Sequence, residues 1–143
     1  MIMKTSKEIV RRSDCPVSYT LDFFGDKWML LILRDMMFDG KSSYGEFLQS
    51  DEKIATNILA DKLQILHENG FVTKAVSPEN KSKFIYTLTE KGIGLLPVVI
   101  EMLIWGSKFN PAGSKKELLK VLKKDKDKTI KEFAKMLKKR IPV

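Results

Sequence analysis

One cysteine and one histidine in 143 residues remove several chemistries at once. A lone cysteine makes no disulfide framework within the chain, and a chain of this length buries a sufficient core without disulfide or metal. With His67 as the sole imidazole, no cluster is spaced for zinc and no Cys-His or Ser-His-Asp set is apparent. His67 falls on the last turn of a helix, where the C-terminal dipole favours a cation, and this is the setting of an ordinary surface residue. Gly92-Ile93-Gly94 lacks the preceding strand and the third glycine of a dinucleotide fingerprint. Carboxylates are plentiful but scattered. The expectation is no catalytic residue, no metal, no cofactor and no enzyme. Residues 1–14 lack the apolar run of a signal peptide, and no apolar stretch approaches the roughly 18 residues of a membrane span. A cytoplasmic protein with no membrane association is expected.

Charge of one sign is also missing where it would first be sought. The formal charge is +8, yet residues 1–113 hold 14 Lys+Arg against 14 Asp+Glu, while residues 114–143 hold 12 against 4. A basic balance points to nucleic acid, so any basic surface on the front part must be local. Lys4, Lys7, Arg11 and Arg12 precede the fold, Lys53 and Lys62 flank one helix, and Lys81 and Lys83 lie on a turn.

That helix, within Thr56 to Gly70, is the centre of the pattern. Leu59, Leu63 and Leu66, widened by Ile58 and Ile65, form an amphipathic stripe. The opposite face is short and polar: Thr56, Asn57, Ala60, Asp61 and Gln64. Gly70 supplies the left-handed stop. Two β-rich runs around Pro78 to Ser82 follow, so the spacing predicts a hairpin over Phe71 to Leu88, with Phe84, Tyr86 and Leu88 facing inward. Helix then hairpin is the order of a winged helix-turn-helix, and equally that of a small α+β domain.

Upstream, Cys15-Pro16 opens a short helix ending at Gly25, and Asp26 caps a core helix carrying Trp28, Leu31, Ile32 and Met36. Ser42 or Ser43 caps another, with Glu46 placed for a capping box; it is the first half of a helix-turn-helix. Downstream, Thr89 caps a long apolar helix that Pro97 kinks or restarts. This helix is apolar around most of its girth and needs a second partner, most economically another copy of the chain. Asn110 to Gly113 is a breaker cluster. Beyond it, Leu118, Leu119 and Leu122, then Ile130, Phe133 and Leu137, mark two short amphipathic helices. Either these dock with a solvated basic face, or they touch DNA or an anionic membrane.

The segments CPVSYTLDFFGDKWMLLILRDM, SSYGEF, LADKLQILHENGFV, YTLTEKGIGLLPVV and IWG, in unbroken order from Cys15 to Phe109, resemble the HxlR-type winged-helix transcriptional regulators. The resemblance implies a dimeric DNA-binding protein with the helix at Thr56 to Asn69 in the major groove and the hairpin as wing. It further implies dimerisation through the first and last core helices and, in some members, an electrophile- or oxidant-sensing cysteine at the position of Cys15. The chain departs from the family's usual serine at Ala55 and usual arginine at Lys62.

The expected fold is mainly α with a small β-hairpin (α+β), a dimeric winged helix-turn-helix with a C-terminal helical extension. The divisions are a basic arm over 1–14, the core over 15–109 and a basic amphipathic extension over 110–143. The expected function is sequence-specific binding of double-stranded DNA as a homodimer, as a repressor. Thr56, Asn57, Ala60 and Asp61 are the expected base contacts, because N-terminal residues of a recognition helix reach furthest into the groove. Ser43, Tyr44, Lys53, Lys62, Gln64, Lys81 and Lys83 are the expected phosphate contacts. The alternative is a winged-helix protein-interaction module without DNA affinity, favoured by the neutral balance of residues 1–113.

Overall fold

The computed structural model describes residues 9–110, 112–113 and 115–142, so most of the expected basic arm, Lys4 and Lys7 included, lies outside the described residues. Helix α1 (Pro16–Phe24) begins on a proline, whose fixed φ suits a first turn, and stops at Gly25. Helix α2 (Lys27–Asp39) is capped by Asp26, whose carboxylate accepts from the N–H groups of Trp28 (2.8 Å) and Met29 (3.2 Å). It ends at Gly40 with φ +65°, the left-handed turn that glycine adopts without strain. Met29, Ile32, Leu33, Met36 and Met37 sink from α2 into the core.

Helix α3 (Tyr44–Phe47) starts in the expected capping box, Ser43 with Glu46. Helix α4 (Thr56–Glu68) buries Leu59, Leu63 and Leu66 completely, each contributing about 1.5–3 kcal/mol relative to an exposed side chain. Strands β1 (Val72–Val76) and β2 (Phe84–Leu88) pair antiparallel from Val72↔Leu88 to Val76↔Phe84. The Tyr86 N–H donates to the Ser42 carbonyl (2.8 Å), tying the hairpin to the α2–α3 connection.

One inward assignment is corrected. Tyr86 and Leu88 are buried, but Phe84 is 44% exposed with the Lys74 ammonium 4.2 Å from its ring centre. Its partner Val76 is exposed too, so the hairpin outruns the core by that last rung before the turn.

The long apolar helix is two helices, α5 (Glu90–Ile93), capped by Thr89, and α6 (Leu96–Phe109), restarted with Pro97 in its first turn. Gly92 serves packing, since a Cβ there would overlap the Phe71 carbonyl oxygen. The stretch Glu90–Phe109 is, by length and mean hydropathy, apolar enough to cross a membrane, contrary to the expectation that no run approaches that length. Its break at 94–95 and the burial of Ile93, Leu96, Val99 and Ile100 give that apolar character a place in the protein core. Helices α7 (Lys116–Lys124) and α8 (Lys126–Lys138) pack on one another, and α8 packs on α5 and α6.

Candidate nucleic-acid interface

The outer face of α4 carries Thr56, Asn57, Ala60 and Gln64 exposed, with Asp61 half-buried beside them. No side chain of Thr56 or Asn57 has a partner among the described residues, whereas the Gln64 amide donates to Glu68 (3.1 Å). Three ties hold this face in place. The Tyr44 hydroxyl donates to the Thr56 carbonyl (2.9 Å), joining α3 to the first turn of α4. The Lys62 ammonium reaches back to Asp26, the cap of α2. Burial pushes the Asp26 carboxyl up, but hydrogen bonds from Lys62, Met29 and Trp28 outweigh it and the net direction is down.

The third tie was not legible in the sequence. Arg34 of α2 forks onto Glu52 in the α3–α4 connection, Nη1 to Oε2 and Nη2 to Oε1, both 2.8 Å. The same guanidinium donates to Asp35 through Nε (3.0 Å) and Nη2 (2.7 Å). Asp35 is 3% exposed and also accepts from Lys41 and from the Ser50 hydroxyl. A buried carboxylate is tolerable only when its oxygens are satisfied in this way. The Arg34 hydrogen bonds hold the Glu52 carboxyl at about 2 and drive the Arg34 value upward. The clamp bears on the residue before Lys53, which is exposed and adopts φ +55°. Glu52 stands 18 residues from Arg34, so no local pattern announces the pair.

Two of the expected phosphate residues are differently placed. Ser43 is 2% exposed, its hydroxyl bound to Glu46 Oε1 (2.9 Å), so its side chain presents nothing to a ligand. Hydrogen bonds from the Ser42 N–H and the Ser43 hydroxyl hold the Glu46 carboxyl low. Lys62 is drawn to Asp26. Lys81 and Lys83 are exposed on the hairpin turn. That turn is knitted by the Ser77 N–H to the Lys83 carbonyl (2.8 Å) and the Ser82 N–H to Asn80 Oδ1 (3.1 Å). The expected residues therefore form one joined set, Tyr44 with Thr56 and the rest of α4, and a pair on the wing turn, of which Lys83 is close enough to Glu46 to lower its carboxyl.

Elsewhere, Cys15 is exposed. Arg12 turns from it to Asp22, whose carboxyl its hydrogen bond lowers, and Arg11 lies 3.5 Å from Asp14. Among the described residues two apolar faces lack cover: Val17 and Leu21 on α1, and Val98, Met102, Trp105 (67% exposed) and Phe109 (71%) on α6.

Comparison with known proteins gives the family and the fold. The HxlR-like helix-turn-helix family matches residues 23–114. The HTH-type transcriptional regulator YodB of Bacillus subtilis (strain 168) is 36% identical over 100 residues, covering 69% of this chain and 88% of its own. The HTH-type regulator YdeP of the same organism is 37% identical over 95 residues, 66% of this chain and 73% of its own. The solved structure of reduced YodB shares 34% identity at a TM-score of 0.55, covering 71% of this chain and all of that one. The redox regulator HypR in its reduced form shares 37% identity at 0.57, over 66% and 92%. These relatives are transcriptional regulators, not enzymes, and the chain belongs with them to the HxlR-like helix-turn-helix family, a winged-helix transcriptional regulator.

Proposed function

We propose that the protein is a homodimeric repressor that reads duplex DNA with the N-terminal half of α4 in the major groove and the β1–β2 turn on the backbone or minor groove. The observation that carries this reading is the pair Thr56 and Asn57, exposed and without side-chain partners among the described residues, on a helix whose opposite side is buried in the core. Asn57 offers an amide for bidentate pairing with adenine, and Ala60 a methyl for thymine. Asp61 lies beside them at the floor of the face. Lys53, Lys81 and Lys83 supply phosphate contacts; Tyr44 and Gln64 add polar ones at the rim. Lys62 acts first by anchoring α4 to Asp26, and Ser43 by capping α3. The uncovered faces of α1 and α6 supply the dimer interface, since a helix apolar on its outer side needs a partner. Such a regulator works in the cytoplasm, where its DNA is.

Duplex DNA titrated at two salt concentrations tests the reading. Binding should weaken steeply with salt, and Asn57→Ala should relax base choice by about 1–3 kcal/mol on a selected operator. Salt-independent binding, or none, would leave the interaction-module alternative standing. A second proposal concerns Cys15, because its thiol is exposed and because relatives include a redox regulator in an oxidized form and a quinone-bound YodB. Labelling it with a thiol-specific electrophile should change operator affinity; full labelling with unchanged affinity would exclude sensing.

A further inference from the structure

The excess charge of residues 114–143 is not consumed by the fold. Lys115 pairs with Asp39 (2.7 Å), Lys126 with Glu101 (2.5 Å) and Lys120 with Glu117 (3.7 Å). Lys128, Lys131, Lys135 and Lys138 are exposed and have no ion-pair partner among the described residues, and Lys139 and Arg140 continue beyond them. Steps of three, four and three place the four lysines on one side of α8, a row about 15 Å long at 1.5 Å per residue. The opposite side is docked: Leu137 is buried, and the Phe133 ring meets Phe38 of α2 edge-on at 5.8 Å.

The direction of α8 gives the row its meaning. It begins beside α6, where Lys126 meets Glu101, and ends against the corner between α2 and α3. There a crevice of about 270 Å³ is lined by Leu137 and Arg140 together with Gly40, Ser42, Tyr86 and Thr87. Arg140 Nη1 stands 3.8 Å from where a Cβ on Gly40 would be. Ser42 adjoins the cap of α3 and accepts the hydrogen bond from β2. The cationic end of α8 thus emerges beside the α2–α3 connection, which leads into the helix-turn-helix, and the Tyr86 to Leu88 half of β2.

An unpaired row of cations suits a polyanion. A membrane would require the apolar side of α8 to insert, and that side is already spent on the core. One DNA strand presents a charge about every 3.4 Å along the axis, so a 15 Å row spans about four phosphates. We propose that α8 is a second, sequence-independent DNA contact, laid along the backbone outside the site read by α4, with its Lys135 to Arg140 end nearest. This rests on the DNA-binding reading of α3 and α4.

The test uses the full chain. One variant neutralises the near end (Lys135→Gln, Lys138→Gln, Lys139→Gln, Arg140→Gln) and another the α7 lysines (Lys116→Gln, Lys120→Gln, Lys123→Gln, Lys124→Gln). Both are titrated against a selected operator in a long duplex and in one trimmed to the α4 site, over a range of salt, after thermal unfolding confirms that they fold. The near-end variant should lose about two to four units of log–log salt slope on the long duplex only, with base preference unchanged, and the α7 variant should lose less. Equal slopes for wild type on both duplexes, equal losses for both variants, or loss only of binding to anionic phosphatidylserine vesicles would each overturn the proposal. Wild type without salt-dependent binding to either duplex would instead bring down the DNA-binding reading itself.

Discussion

Helices α4 and α8 are both thirteen residues long and both amphipathic, each burying leucine on its inner side. Their outer faces differ in kind. That of α4 is built from short side chains, and two of the charges beside it are tied down: Lys62 to Asp26, Glu52 to Arg34. That of α8 is built from long, solvated lysines. Base edges are discriminated by groups held in place, whereas a phosphate row is met by charge that need only reach it. On the proposed reading, the α4 region is held in place through Tyr44, Arg34 and Asp26, and the α8 region offers solvated charge. A neutral balance over residues 1–113 is what the first strategy leaves behind, so it is weak evidence against DNA binding.

The comparison is broken most forcefully from the inside. Leu63→Ala should destabilise the protein by about 2–5 kcal/mol, because the residue is fully buried and leaves a cavity. Leu137→Ala should cost an amount of the same order if α8 belongs to one cooperative unit with the core. Denaturant unfolding checks both. A second transition, or an unchanged midpoint for the core in the Leu137 variant, would show α7 and α8 to be an independent appendage over 110–143.

The next largest effect falls on the clamp beneath α4. Arg34→Lys keeps the charge but loses the fork onto Glu52 and the second donor to Asp35. It should cost about 1–3 kcal/mol in denaturant and blunt operator preference, while salt slope on nonspecific DNA stays unchanged. The pH dependence has a definite sign. Glu52 titrates at about 2 in the folded chain against an ordinary value near 4.5. Its contribution is therefore complete above about 4.5 and disappears as pH falls toward about 2. The stability gap between wild type and Glu52→Gln should be widest at neutral pH and close across that window. Asp26 and Glu46 are also lowered, so both proteins lose stability in acid, and the gap isolates Glu52.

What could be read beforehand follows the same division. Caps at Asp26, Ser43 and Thr89, the left-handed stop at Gly70, and the restart at Pro97 obey rules that act within four residues, and the structure has them all. The leucine stripe of α4 and the two amphipathic helices after Gly113 are equally local. The ties that position α4 are not: Arg34 to Glu52, Lys62 to Asp26 and Tyr44 to Thr56 join residues that only the fold brings together. Lys62 looked free for a phosphate because a sequence shows a cation without showing its carboxylate. Ser43 looked available because capping and exposure are separate questions, and the capping box that was legible is what buries it. Phe84 fits a perfect alternation, yet alternation says which side a residue faces and not whether the core extends that far.

The smallest effect sharpens the contrast at the helix starts. Asp125 caps α8, accepting from the Lys128 N–H (3.1 Å), and α2, α3 and α5 are capped likewise, whereas Ala55 leaves α4 with no side-chain cap. Ala55 already has the extended backbone of a cap residue, φ −70° and ψ 148°, so a serine fits without rearrangement. Ala55→Ser should stabilise the protein by about 1 kcal/mol and raise Tm by a few degrees. Its effect on DNA separates two uses of the same N–H groups. If the first turn of α4 offers them to a phosphate, as helix N-termini do, the serine oxygen competes and operator affinity falls while stability rises. If affinity and stability rise or stay level together, the phosphate contacts lie with Lys53 and the wing, and the open start of α4 serves only to let Thr56 and Asn57 approach the bases.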